Sequence, residues 1–507
     1  MHTELNLKVP ADDLERLRRH PLLNERALCG PVEQHLVDTY YDTPERALWK
    51  AGLALHVRAG DGCWTQTLTT IASAASGAAG SLHPRGVWTC GLPAAGPRPD
   101  LLARGVKPAR LAELLRSDAI ASGLAPLFQV TIRRTAWRIA LADGQELACA
   151  LDAGEIAAGG QHASIAELAF EMQDGDPARL FRLTLDLHHE VPLQLAADSK
   201  AARGFALLDA APPRAHKAAP VRLRKGMTLE QAFVAIAVNC LAQLEANLPG
   251  VLKRDVESLH QMRVGLRRLR ALVGMFGELV QPPAAVSEGL DWLSGELGAA
   301  RDWDVLAGST LDAIAGLDPA SLRQAAEAKA EAHHRQLAQT LRAPRFTQVL
   351  FQAGGWLHGR AWRVDGALPA DSPLAAPARR GMRPLLRKAE KRLDKRIDSL
   401  DKNDAHARHR TRIAAKKPRY AAEFFQDLLP GKRVKPYVGR LAKLQDKLGT
   451  LNDYAVADRL LDELKGSNAQ VARQAAYARG YLAASTAARS ARLGKALASV
   501  AGRRIGA

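Results

Sequence analysis

Two histidines in this chain of 507 residues open the same pattern of bases. His260 is followed by Arg263, Arg267, Arg268 and Arg270, and His409 by Arg412, Lys416, Lys417 and Arg419. In both cases a base stands three, seven, eight and ten residues after the histidine. On an α-helix, all but the third of these bases fall with their histidine within about 80° of the circumference, along roughly 15 Å of axis. Met262, Leu266, Leu269, Val273 and Phe276 fall on the side available to a core. A third run, Arg380, Arg383, Arg387 and Lys391, aligns in a similar arc. Guanidinium groups grip phosphate oxygens in pairs, ammonium groups act as point charges, and imidazole N–H groups donate. Like charges three and four residues apart repel and weaken a helix. Stripes of this kind, with almost no Asp or Glu among them, predict an anion site. A single charged helix is usually a solvated face, but the stripe is repeated, led by His both times, and that favours binding.

The helices that carry the stripes belong to a duplicated unit. Leu297-Gly298 with Arg301-Asp302 is echoed by Leu448-Gly449 with Asn452-Asp453, so the histidines are 149 and the glycines 151 residues apart. Offsets this similar predict two helical repeats, about 219–363 and 378–507, split by the Pro/Gly/Ala-rich stretch from Val364 to Pro377. Before residue 210 the texture differs. Glu4-Leu5-Asn6-Leu7-Lys8-Val9, Leu53-Ala54-Leu55-His56-Val57-Arg58 and Glu167-Leu168-Ala169-Phe170-Glu171-Met172 alternate polar with apolar, as strands with one wet and one dry face must. Asp61-Gly62 and Asp143-Gly144 read as turns between strands, and Ala211-Pro212-Pro213 to Ala219-Pro220 as a linker. The expected fold class is α+β multidomain: antiparallel strands over 1–210, then an all-α duplicated helical bundle over 219–507.

The charge divides at the same place. Of 71 Lys+Arg and 53 Asp+Glu, the first 210 residues hold 21 and 25, leaving 50 and 28 for the remainder. The whole excess of +18 therefore lies in the helical part, which predicts an anionic partner for that part alone. Membrane insertion is not expected, because no run approaches the roughly 18 consecutive apolar residues a span needs. Met1–Pro10 has no apolar core of a signal peptide. Cys29, Cys63, Cys90, Cys149 and Cys240 are odd in number and never spaced C-x-x-C, which suits a reducing cytoplasm and no metal ribbon. Nucleic-acid binders add aromatic platforms or a groove-entering helix to their charge. Aromatic residues are only 5% here, and none interrupts His260 to Arg270. Helices lying on a membrane surface would set Trp or Phe opposite the bases. A long, phosphate-dense polyanion read by charge fits best: inorganic polyphosphate, with RNA left open.

His260-x-x-Arg263, Leu266-Arg267-Arg268-Leu269-Arg270, Leu297-Gly298-x-x-Arg301-Asp302-x-Asp304-Val305, His409-x-x-Arg412-x-x-x-Lys416-x-x-Arg419-Tyr420 and Leu444-Gln445-Asp446-x-Leu448-Gly449-x-Leu451-Asn452-Asp453 resemble the CHAD domain, the conserved-histidine α-helical domain, over about 219–507. The resemblance implies two similar helical bundles with a basic groove that binds polyphosphate and directs proteins to polyphosphate granules. Pro418 departs from the family pattern; a proline inside a helix removes a hydrogen bond and can kink it, which leaves the path of the second stripe beyond Lys417 open.

Tyr40-Tyr41-Asp42-Thr43-Pro44, Leu53 to Arg58, Leu127 to Arg134 and Ser199-Lys200-x-x-Arg203-Gly204 resemble the CYTH or triphosphate-tunnel family over about 1–210. That resemblance implies a closed antiparallel β-tunnel in which bases grip a triphosphate and carboxylates hold Mg²⁺ or Mn²⁺. The family's carboxylates are thinned here: Asn6, Val87, Thr89 and Ala169 stand where acids are usual, with Glu4, Glu167 and Glu171 remaining. Among the bases, Thr69 and His56 replace Lys and Arg, while Lys8, Arg58, Arg133, Lys200 and Arg203 are kept as a residual anion site. The resulting expectation is a non-enzymatic polyphosphate-binding protein of the cytoplasm and its granules, with no metal, no cofactor and no catalytic residue in the tunnel. His260, Arg263, Arg267, Arg270, His409, Arg412, Lys416 and Arg419 form the binding set, with Arg268, Lys417, Arg380, Arg383, Arg387 and Lys391 as further contacts. The competing readings are a metal-dependent tri- or polyphosphatase fed by the helical domain, and an RNA-binding adaptor.

Overall fold

The computed structural model describes residues 3–60, 63–71, 83–84, 86–141, 144–172, 175–196, 198–209, 214–369 and 371–505. The turn at Asp61-Gly62, Asp143 of the second turn, and residues 211–213 of the linker lie outside the described residues. The chain forms two compact units, Met1–Ala219 with Pro344–Gly359, and Pro220–Ala343 with Arg360–Ala507.

The first unit is built on an antiparallel sheet. Its strands are β1 (Thr3–Lys8), β2 (Val32–Asp42), β3 (Leu53–Gly60), β4 (Cys63–Thr70), β5 (His83–Pro84), β6 (Val87–Leu92), β7 (Ala125–Ala140), β8 (Glu146–Ala158), β9 (Gln161–Met172) and β10 (Gln194–Leu195). They follow the order β10-β1-β9-β8-β7-β2-β3-β4-β6. β5, which leads into β6 at one end of this path, pairs with β1 near the other, so the sheet curls back toward itself. Register then decides which side chains share a face, because partners directly opposite point the same way. Glu4, Asn6 and Lys8 stand opposite Glu171, Ala169 and Glu167, and Glu167 opposite Asp152. Asp152 stands opposite Arg134, Asp38 opposite Arg58, His56 opposite Thr67, and Thr67 opposite Thr89. These residues form the inner face. Leu5, Leu7, Cys149, Leu151, Leu168 and Phe170 alternate with them and are buried on the other side.

Two helices, α1 (Pro177–Glu190) and α2 (Lys200–Leu208), follow the last long strand. The second seals part of the inner face: Phe205 meets Phe128 edge-on at 5.3 Å, Phe128 stacks on Tyr40 at 4.6 Å, and all three are buried. A Cβ on Gly204 would stand 2.1 Å from the Phe128 ring, so only glycine permits this approach.

The second unit contains α3 (Leu229–Ala246), α4 (Val256–Phe276), α5 (Ala284–Val305), α6 (Ala320–Arg342), α8 (Ala378–Asp398), α9 (Ala405–Phe424), α10 (Gly431–Leu464) and α11 (Ala469–Ala491). The missing number belongs to α7 (Pro344–His358), which falls in the first helical repeat by sequence but packs in the first unit. Its Phe351 and His358 rings lie 6.3 and 5.7 Å from Phe181 of α1, and Phe181 sits where a Cβ on Gly354 would be only 2.6 Å away. His188 Nε2 also donates to the Pro344 carbonyl at 2.9 Å. One core cluster joins both repeats of the second unit, with Trp303, Leu306 and Leu322 packed with Tyr454, Leu460, Val471 and Leu482. α9 is one continuous helix through Pro418, so the proline does not end it. The segment Leu229–Leu252 reaches a mean hydropathy of 1.3 over a length sufficient to span a membrane, yet 67% of that window is buried. All five cysteines are free thiols.

Candidate functional site

The helices bearing the two stripes start alike. Asp255 caps α4 by accepting from the Ser258 N–H at 2.7 Å, and Asp404 caps α9 by accepting from the His406 and Ala407 N–H groups at 2.8 and 3.1 Å. The cap fixes the helix origin and suits the positive end of its dipole. In each case the histidine follows five residues later, so the caps are part of the duplication and went unnoticed in the sequence.

α4 and α9 then present their stripes to one cleft of about 740 Å³. Arg263, Arg267 and Arg270 line it from α4, and His409, Arg412, Lys416 and Lys417 from α9. Ser287, Asp291, Ser294 and Asp302 of α5 and Asn452 with Asp453 of α10 add further polar groups to the lining. The two halves are held against each other by a bond between repeats, from Arg267 Nε to the Tyr420 hydroxyl at 2.8 Å. His409 Nδ1 donates to Asn452 Oδ1 at 2.7 Å.

The repeated glycines explain how the central arginines are seated. A Cβ on Gly298 would stand 3.0 Å from Arg263 Nη1, and one on Gly449 would stand 3.7 Å from Arg412 Nε. Each guanidinium thus lies against a helix backbone bared by glycine. Among the described residues neither enters an ion pair, and Arg263 Nη1 and Arg412 Nε are buried without a hydrogen-bond partner. A buried donor left unsatisfied costs about 1–3 kcal/mol, and more when charged. Burial, then neighbouring arginines, pulls the pKa of both groups below the usual guanidinium range, although Asp302 and Asp453 oppose this. Burial followed by Arg412, Arg267 and Arg263 brings the Lys416 ammonium down to about 7. Asp302 and Asp453 are raised, again chiefly by burial. The cleft is therefore a partly desolvated concentration of positive charge with acceptors in short supply.

Not every base of the stripes reaches it. Arg419 donates to Glu423 at 2.8 Å and Gln445 at 3.2 Å, and does not line the cleft. Arg268 turns inward, donating to Gln243 at 2.8 Å and Asn239 at 3.2 Å beneath the Phe424 ring. Arg270 lines the cleft but is held by Asp291 at 2.5 Å and Ser294 at 3.0 Å. His260 is half-buried outside the lining; burial, then Arg301, lowers its pKa. Arg380, Arg383, Arg387 and Lys391 are exposed on α8, away from the lining.

The inner face of the sheet contrasts with the cleft. Arg58 is bidentate on Asp38 at 2.6 and 2.7 Å, and Arg134 on Asp152 at 2.7 and 2.8 Å. Lys200 bridges Asp152 at 3.0 Å and Glu167 at 2.8 Å, and Arg203 reaches Glu167 at 2.5 Å. Burial opposes ionisation of Asp152, but Arg134 and Lys200 outweigh it and hold its pKa at about 2. Arg133, expected inside, is on the opposite face and exposed beside His35 and Glu155, while Arg134 points inward. The choice between adjacent arginines depends on strand parity, and counting in twos from Ile132 and Val130 identifies Arg134. The same count reveals Asp38 and Asp152, which the sequence reading missed. Lys8 is exposed opposite Glu167.

A divalent cation needs several oxygen donors free to bind it. Asp38, Asp152 and Glu167 are each taken by Arg or Lys, Glu4 accepts from Asn6 at 2.7 Å, and Asn6, Thr89 and Ala169 occupy inner-face positions without carboxylates. Among the described residues no group of three His, Cys, Asp or Glu could hold a metal ion. The side chains present do not fit the metal that the triphosphate-tunnel resemblance implies.

Comparison with known proteins agrees with this division. The CYTH domain matches residues 1–205 and the CHAD domain residues 235–462. An inorganic triphosphatase of Haemophilus influenzae is 32% identical over 172 residues, which is 34% of this chain and 46% of that relative, so less than half of its length is spanned. The crystal structure of the CHAD domain from the plant Ricinus communis is 38% identical with a TM-score of 0.53, covering 57% of this chain and 97% of that one. The two matched domains and the 38% identity across nearly the whole of the Ricinus communis CHAD domain make the chain a member of the CHAD family, its CHAD domain preceded by a CYTH domain.

Proposed function

We propose that the protein binds inorganic polyphosphate in the cleft between α4 and α9 and works at polyphosphate granules in the cytoplasm. The observation that carries this reading is the convergence on one cleft of Arg263, Arg412 and Lys416, none of which enters an ion pair among the described residues. Phosphate oxygens would satisfy the guanidinium N–H groups bidentately, and Lys416 would add a point charge. The polyanion is read by charge density, which suits a lining whose one Phe, Tyr or Trp side chain among the described residues is Tyr420, its hydroxyl accepting from Arg267.

A metal-dependent triphosphatase in the tunnel is the alternative favoured by likeness to the Haemophilus influenzae protein. The ion pairs that occupy Asp38, Asp152 and Glu167 weigh against it. Phosphate release from tripolyphosphate with Mg²⁺ or Mn²⁺ should stay at background for the full chain; metal-dependent turnover would favour the enzyme. For the cleft, the test is equilibrium binding of polyphosphate in competition with structured RNA at equal phosphate concentration. Polyphosphate should win, and Arg263→Glu with Arg412→Glu should weaken it at least about a hundredfold, two lost charge-assisted contacts at about 1.5 kcal/mol each. RNA winning the competition, or undiminished binding by the variant, would reject the reading.

A further inference from the structure

The bases of α8 are left over once the cleft is accounted for. Nine of the 21 residues from Ala378 to Asp398 are Lys or Arg, against three acids. Two of those acids are already engaged by the C-terminal segment: Glu390 accepts from the Ile505 N–H at 2.9 Å, and Asp394 accepts from the Gly502 N–H at 3.1 Å and pairs with Arg504. Arg380, Arg383, Arg387, Lys391 and Arg392 are exposed, and among the described residues none of them enters an ion pair. Bases four apart, as in 383, 387 and 391 or 388 and 392, repel along the helix. Elsewhere in the same unit exposed bases such as Arg254, Arg335 and Arg459 have found acids.

The position of this face relative to the cleft gives it a use. Lys417, which lines the cleft, donates to the Gly274 carbonyl at 3.3 Å. Lys388 of α8 pairs with Glu278, just past the end of α4 and four residues further along the chain from Gly274. Burial first, then Arg392 and Lys388, lowers the pKa of Lys417, as their proximity requires. The bases of the cleft therefore continue past Lys417 onto α8, where Glu278 is engaged by Lys388 in a highly exposed, weak pair.

Building on the reading of the cleft as a polyphosphate site, we propose that α8 extends it. A chain too long for the cleft leaves past Lys417 and crosses Lys388, Arg392, Arg387 and Lys391, so the protein selects long polyphosphate over short. The second segment adds an intramolecular binding event, which multiplies affinity without altering the cleft.

The test compares a short oligophosphate that fits the cleft with a long polyphosphate, using the full chain. Arg387→Glu, Lys391→Glu and Arg392→Glu together should leave the short-chain affinity within about twofold, while long-chain affinity falls at least tenfold, the lower edge of the gain expected from linked sites. The log–log salt slope for the long chain should flatten by about two, three contacts at roughly 0.7 each for a single-stranded polyanion. Arg473→Glu, Arg492→Glu and Lys495→Glu change the net charge equally at exposed positions on α11 and beyond it, and should preserve the length preference. An unchanged long-to-short ratio in the α8 variant, or an equal loss in this control, would overturn the extension. Failure of the unaltered protein to bind either chain would instead overturn the cleft itself.

Discussion

Lys416 is where burial and charge conflict most within the cleft, and it sets a pH dependence. With its ammonium brought down to about 7 by burial and by Arg412, Arg267 and Arg263, the free cleft loses one positive charge as pH rises through that value. A bound polyanion restores it, so binding takes up a proton and should weaken above pH 7 by roughly tenfold, the weight of one charge-assisted contact of about 1.5 kcal/mol. Lys416→Arg should flatten this profile, since guanidinium stays charged. The effect on folding has the opposite sign. Below about 7 both folded and unfolded states hold the proton, and the native state bears the full cost of a buried charge. Between about 7 and the ordinary lysine value of 10.5 the unfolded state binds more protons, so Lys416 favours folding progressively as pH rises. Lys416→Met should therefore stabilise the unliganded protein more at acidic than at alkaline pH, read from thermal melts. The converging stripes were legible in the sequence because helical spacing alone aligns Arg263 with Arg267 and Arg412 with Lys416. The fate of Arg268 was not, since its partners Asn239 and Gln243 come from elsewhere in the chain, whereas Glu423, four residues past Arg419, was in plain view as an acid able to draw that base away. On the sheet, Arg133 and Arg134 are indistinguishable by composition, and only register separates them.

Among the elements, α5 and α10 seat the arginines through single glycines, and the two are not equivalent. Gly298→Ala would place a methyl 3.0 Å from Arg263 Nη1 and displace it, so binding should fall severalfold. Gly449→Ala leaves an ordinary contact of 3.7 Å, so binding should be nearly unchanged. Gly449→Ala should also raise stability by up to about 1 kcal/mol, the helix preference for Ala over Gly. Equal effects at both positions would show that the glycines do not seat the arginines. The duplication was visible because its offsets agree, and its Asp255 and Asp404 caps fit it equally well. At Pro418 the buried face of α9 carries the helix on through a residue whose local preference opposes it.

Across the whole molecule, charge and texture both change near residue 210, yet the chain does not divide there cleanly. α7 returns to the first unit, with Phe346, Leu350, Phe351, Trp356 and Leu357 buried. A chain ending at residue 210 lacks this helix and would expose Phe181, which should cost several kcal/mol. It should melt well below the full-length protein, and a peptide of residues 344–359 should raise its melting temperature. A stable 1–210 fragment indifferent to that peptide would contradict the assignment. Nothing in the local sequence of α7 announces which sheet or bundle it will cover, because its apolar face suits either. The central claim, that both repeats build one anion site, is tested most directly by calorimetry of a short polyphosphate with the full chain and with Arg263→Glu, Arg267→Glu. One short chain should bind each protein molecule, and the variant should bind at the same stoichiometry with at least about a hundredfold weaker affinity, two lost contacts at about 1.5 kcal/mol each. Two chains per molecule in the unaltered protein, reduced to one of unchanged affinity in the variant, would contradict it.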